Sequence, residues 1–187
     1  MAKKIEILLK NGLNRRYEID YSIKVGELSK YLDNKEEYIA AKINNEIVSL
    51  SYSIKVNSEI EFLTMNDNFG MEIYRRSLCF LLAKVADETY KDKRLIIEHS
   101  LGPGYYFEFE NCEINKDDVK KLEDKMKDFV EKKIPIERER ISYIELLKYF
   151  EENKKTDKFK LLNGINNSKL SIYRCEDFFE LFDGPMV

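Results

Sequence analysis

The stretch Glu72–Val85, EIYRRSLCFLLAKV, constrains this chain more than any other. Ile73, Leu78, Leu81, Leu82 and Val85 recur at helical spacing, which predicts the front of a long helix running to about Tyr90 with one buried face. Immediately upstream, Met65–Gly70 (MNDNFG) gathers polar turn formers and breaks the periodic pattern, so a domain boundary is expected there.

Before that boundary the pattern is mostly strand. Ile5, Ile7 and Leu9 alternate with Glu6, Leu8 and Lys10. Asn11-Gly12 tolerates positive φ and signals a hairpin into a second strand through Tyr17 and Ile19. Ser22 is placed to cap a short helix to about Leu32, with Val25, Leu28 and Leu32 inward. Further strands follow at Tyr38–Ile43, Glu46–Val48 and Glu59–Leu63, with a tight turn at Asn44-Asn45. Two strands, a helix and then more strands within residues 1–65 make a small α+β unit of β-grasp order.

After the boundary, Arg94–His99 and Tyr105–Phe109 read as strands joined through Gly102-Pro103-Gly104. Asn115 caps a helix to about Lys132 whose stripe is Val119, Leu122, Met126 and Phe129. Ile134–Ile141 alternates as a strand with one wet face. Ser142-Tyr143-Ile144-Glu145 is a capping box for the next helix. A short helix near Phe159–Leu162, a strand near Leu170–Arg174 and the aromatic segment FFELFDGPMV complete the pattern.

Composition removes several function classes. Charged residues make up 36% of the chain, yet the net charge is only −3, which argues against a strongly basic nucleic-acid binder and leaves room for a local patch. No apolar run approaches the ~20 residues of a membrane span, so no membrane partner is expected. MAKKIEILLK lacks the apolar core of a signal peptide. Cys79, Cys112 and Cys175 form no CxxC pair, and their odd number fits reduced thiols in a cytoplasmic chain. His99 has no Ser, Cys or second His at triad spacing and reads as structural. Gly102–Gly104 lacks the spacing of a phosphate loop. The alternating Glu137–Arg140 and the lysines 120, 121, 125 and 127 read as solvated faces.

Two stretches carry family resemblances. Ala40–Ile54, AAKINNEIVSLSYSI, resembles the TGS domain, a β-grasp (ubiquitin-like) module of threonyl-tRNA synthetases and some GTPases. Residues 72–187 resemble the tRNA-editing domain that follows it in those synthetases. The anchors are EIYRRSLCFLLA, then GPGYYFEFE, then DDVKKLEDKM, and finally DGPMV. The resemblance implies a TGS domain at 1–65 and an editing-like α+β domain at 66–187.

The family's editing site carries an HxxxH pair on the long helix and a Cys-Arg-Gly-Pro-His motif. The matching positions here are Arg76 and Phe80, and Phe182 and Met186. All four depart from the pattern. A fixed guanidinium about 4 Å from a metal ion would repel it by about 4 kcal/mol per unit charge at an effective dielectric of 20, so no metal is expected. Phe80, Phe182 and Met186 are expected to fill part of the former site as core, and Asp183 is placed to pair with Arg76. No catalytic or cofactor-binding residue is expected.

The same pairing of domains also resembles the N-terminal half of a bacterial uridine kinase-like family that lacks the editing histidines. That resemblance implies a non-catalytic accessory region whose partner is a kinase domain of the same chain. ATP and Mg would belong only to that domain, which would begin beyond Val187 with a strand, GxxxxGK[ST] and a helix. These residues alone would then neither hydrolyse ATP nor phosphorylate uridine. Two alternatives remain open: a degenerate tRNA-binding module, and a rearranged tRNA-editing hydrolase.

Overall fold

The computed structural model describes residues 4–12, 14–33, 36–102, 104–153, 155–162, 168–182 and 184–187. It is a mixed α+β chain in two compact units, residues 1–119 with 183–187, and residues 120–182.

The first unit opens with β1 (Lys4–Leu9) and β2 (Arg15–Asp20), then β3 (Ile23–Lys24), a 3-10 helix (Val25–Tyr31), β4 (Tyr38–Ile43), β5 (Glu46–Ser49), β6 (Ser53–Ile54) and β7 (Ser58–Thr64). Five strands form one sheet in the order β2-β1-β7-β4-β5, with β1 and β7 parallel and the other neighbours antiparallel. β3 and β6 form a separate two-stranded ribbon. The alternation of β1 puts Ile5, Ile7 and Leu9 into a core with Ile19, Ala41, Ile60 and Phe62, closed by Val25 and Leu28 of the 3-10 helix.

The hairpin between β1 and β2 forms as expected. Asn11 contributes more than turn propensity there, because its side-chain amide donates to Phe62 O (3.0 Å) and accepts from Phe62 N (2.6 Å). The expected cap at Ser22 does not form. Ser22 sits at φ +69, Lys24 occupies the capping position without a side-chain bond, and the turn winds as a 3-10 helix.

α1 (Asn68–Thr89) begins after a tight turn in which the Asp67 carboxylate accepts from Thr64 N (2.7 Å) and Thr64 Oγ1 (2.9 Å). The pattern break at Met65–Gly70 is therefore real, but packing continues across it. Ile73 joins Ala40 and Leu63 in a core on the sheet's other face. A Cβ at Gly70 would lie 1.9 Å from Thr64 O, so only glycine allows the helix start to sit against the end of β7. The division between the compact units falls after Val119.

β8 (Leu95–Leu101) and β9 (Gly104–Phe109) form a two-stranded hairpin whose tip is exposed. α2 (Lys116–Glu131) is capped by Asn115, whose Oδ1 accepts from Asp117 N and Asp118 N at 2.8 and 3.0 Å. Tyr90 donates to Asp118 (2.8 Å); desolvation, then that carboxylate, holds its phenol above the usual range. Of the stripe expected on α2, Leu122 is buried and Val119 is exposed.

The second unit holds β10 (Glu137–Ser142), α3 (Tyr143–Glu152), α4 (Thr156–Leu162), β11 (Lys169–Cys175) and β12 (Phe178–Glu180). The three strands form an antiparallel sheet in the order β10-β11-β12. The capping box forms, with Glu145 N donating to Ser142 Oγ and Ser142 N donating to Glu145 Oε2. Leu146, Phe150, Leu162, Ile172 and Phe179 make its core. Among the described residues, no helix is long and apolar enough to cross a membrane.

Candidate functional site

The site is built where α1 meets the last four residues. The buried face of α1 runs through Ile73, Ser77, Phe80, Leu81, Lys84 and Val85. Positions 76, 80 and 84 follow one another by single turns, so Arg76, Phe80 and Lys84 form one row along the helix.

Arg76 Nη1 donates to Pro185 O at 2.8 Å. One residue along α1, Ser77 Oγ accepts from Val187 N at 2.9 Å and donates back to Ile73 O at 2.9 Å. Two bonds therefore clasp the tail on either side of Met186, which is 2% exposed. Gly184 stands at φ +84, and an added Cβ would lie 2.8 Å from Arg76 Nη1 and 2.9 Å from Cζ. Glycine is required there for both its backbone angle and its bare face.

Phe80, one turn beyond Arg76, is wholly buried. Lys84 is buried as well, 1% exposed, with its ammonium 2.6 Å from Glu88 Oε1. The helical apolar pattern gave no warning of this lysine. The signal available was its place in the row of 76 and 80. The roles of Ser77 and the Pro185 carbonyl also went unforeseen.

The structure thus joins Arg76 to Gly184 and Pro185, and Ser77 to Val187 across buried Met186. Phe182 lies in the second compact unit and is half-buried. Asp183 lies outside the described residues, and with it the expected pair to Arg76.

Chemically, Arg76, Ser77 and the described residues of the tail hold and orient, and supply no general base. A guanidinium stays protonated and offers donors only. The nearest thiol in sequence is Cys79, and burial pushes it above the ordinary thiol range, away from the reactive thiolate. His99 sits at the exposed hairpin, 66% accessible and stacked on Tyr106 with centroids 5.7 Å apart. Among the described residues, no group of three His, Cys, Asp or Glu side chains is arranged to hold a metal ion.

A second polar cluster lies inside the other unit. The Glu180 side chain, 4% exposed, pairs with Lys158 and lies 3.6 Å from Lys155. Its other oxygen accepts from Leu181 N at 2.9 Å. Arg174 donates to Glu139 (2.9 Å) and lies over the Phe179 ring. Sequence reading treated this region as an aromatic segment and a solvated strand face, and missed the cluster.

No protein-family model matches the chain. It is similar to curated threonine–tRNA ligases. The enzyme of Desulforamulus reducens is 29% identical over 187 residues, covering 98% of this chain and 29% of the relative. That of Thermotoga petrophila is 31% identical over 186 residues, covering 97% and 28%. That of Carboxydothermus hydrogenoformans is 30% identical over 185 residues, covering 97% and 29%. The chain therefore spans under a third of the length of these relatives. They accord with the TGS and editing-like resemblance, and lend nothing to the expected kinase context.

Proposed function

We propose that this chain is a tRNA-recognition region of the kind that opens threonyl-tRNA synthetases, which holds RNA without hydrolysing an aminoacyl bond. One observation carries the reading. Where the editing family places its first helix histidine, Arg76 is tied to the tail through Pro185 O, with Phe80 and Met186 buried as core. The match to threonine–tRNA ligases over nearly all of this chain supports the scaffold, and the lack of any imidazole or thiol at the four matched positions supports the absence of editing. In this reading the partner is RNA, no metal or nucleotide cofactor is needed, and the location is cytoplasmic. The kinase-accessory reading and the rearranged hydrolase stand behind it.

The test is a mobility shift with tRNA across a salt series, run beside a deacylation assay on mischarged tRNA. Binding is expected at low salt, weakening with a log–log slope of about 0.7–0.9 per phosphate contacted. Amino-acid release should not exceed the rate in buffer. No shift at any salt would remove the RNA reading. Protein-dependent release would restore editing.

A further inference from the structure

We propose that Arg76 is an oxyanion receptor whose guanidinium takes a single phosphate, and that the glycine at 184 lets that planar group lie against the backbone of the tail. The inference deepens the RNA reading and rests on it for the source of the phosphate, a backbone phosphodiester.

A guanidinium has five N–H groups in a fixed planar fork. Arg76 spends one on Pro185 O, and the described residues supply no second hydrogen bond and no ion pair. Glu72 lies one turn earlier on the same helix, is exposed, and makes no ion pair with it among the described residues. The side chain is half-buried, so its remaining donors are partly withdrawn from water. Donors in that state favour a charged acceptor, and a planar fork matches two oxygens of one phosphate.

The second observation is geometric. A methyl at 184 would come within 2.8–3.1 Å of Nη1, Cζ and Nη2 together. The bare glycine therefore faces the guanidinium itself, and the bond to Pro185 O fixes the fork beside it. Phe80 and Met186 are both buried, so neither presents a competing polar group. Lys84 lies two turns along the row, but Glu88 already balances its charge. Arg76 is thus the cation of this row whose charge no described carboxylate answers.

Two measurements test this on the intact chain. The first is tRNA affinity against salt for wild type, Arg76→Gln, Arg76→Lys and Lys127→Gln. Gln retains a donor for Pro185 O while removing the charge and the fork. Arg76→Gln should bind about ten- to a hundredfold more weakly at low salt, the scale of one charge-assisted hydrogen-bonded contact. Its salt slope should fall by about 0.7–0.9, one phosphate. Arg76→Lys should keep the slope and lose part of the affinity. Lys127→Gln makes the same change of net charge on an exposed face of α2 and should match wild type.

The second measurement is the melting temperature in inorganic phosphate against chloride at matched ionic strength. Wild type should gain, and Arg76→Gln and Gly184→Ala should not. If wild type binds tRNA and Arg76→Gln binds it equally with the same slope, the receptor is overturned and the RNA reading survives. If phosphate stabilises wild type through Arg76 while tRNA does not bind, the receptor stands with free phosphate as its ligand, and the RNA reading falls. If neither ligand acts through Arg76, the receptor is overturned.

Discussion

The two main sheets of this chain bury different things. The five-stranded sheet buries Ile5, Ile7, Leu9, Ile60 and Phe62 on one face and Ala40, Leu63 and Ile73 on the other. Its ion pairs, such as Lys10–Glu59 and Arg16–Glu6, are exposed. The three-stranded sheet buries Ile172 and Phe179, and beside them the carboxylate of Glu180 with two lysines. Lys155 adds contacts of 5.3 Å to the Tyr149 and Phe178 rings. A core of apolar side chains tolerates small changes of shape. A buried ion cluster is less forgiving, because removing one member leaves the others desolvated and unpaired.

The largest effect should therefore come from Glu180→Ala. Breaking a buried pair costs about 3–5 kcal/mol, and the lysines here keep some exposure, so roughly 2–3 kcal/mol is expected. Denaturant unfolding followed through the aromatic signal would measure it. A loss under about 0.5 kcal/mol, the scale of an ordinary surface change, would put the two sheets on the same footing.

Gly70→Ala should come next and probes the apolar sheet. The added methyl meets Thr64 O at 1.9 Å, a backbone atom that cannot swing aside. Overpacking of this kind costs about 1–3 kcal/mol. The loss should be the same in low and high salt, unlike any effect carried by charges. An unchanged midpoint would mean that α1 does not lean on the end of β7.

These two residues also mark what was legible in advance. β1, α1, the Asn115 cap and the Ser142 capping box each depend on residues close in sequence, and each formed as read. Glu180 was not legible, because Lys158 lies 22 residues away and burial of a charge leaves no periodic trace. Lys84 failed for the same reason, since a lysine on an apolar face reads as an interruption. The short helix expected up to about Leu32 forms with Val25 and Leu28 buried, but the cap expected at Ser22 does not, because the chain there is taken up by the β3–β6 ribbon. In that ribbon, Ser22 N donates to Ile54 O and Val25 N to Tyr52 O. At the site, motif matching picked out Arg76 and Met186, but the atoms that hold the tail are a proline carbonyl and a serine hydroxyl. Backbone acceptors carry no sequence signal.

The smallest effect should fall on α2, where an ion pair is fully in water and sharpens the contrast with Glu180. Lys127 Nζ lies 2.5 Å from Glu123 Oε1, one turn apart and both exposed. The hydrogen bond from Lys127, then its charge, holds the Glu123 carboxyl below its ordinary range, and the same bond raises Lys127. A carboxyl lowered in the folded state stabilises above its unfolded range, and that contribution disappears as pH falls through the folded value. At the other end, a raised lysine loses its contribution as pH climbs through its folded value. Solvent screens such pairs strongly. Lys127→Ala should therefore melt close to wild type at neutral pH in salt, with a small deficit at low ionic strength. The deficit should close in acid, where Glu123 takes up its proton in both proteins. Melting curves at neutral and acid pH, each at two salt concentrations, would show it. A deficit that persisted in acid and high salt would assign the loss to packing of the lysine stem, since alanine has the higher helix propensity, and the surface pair would then contribute nothing to the comparison.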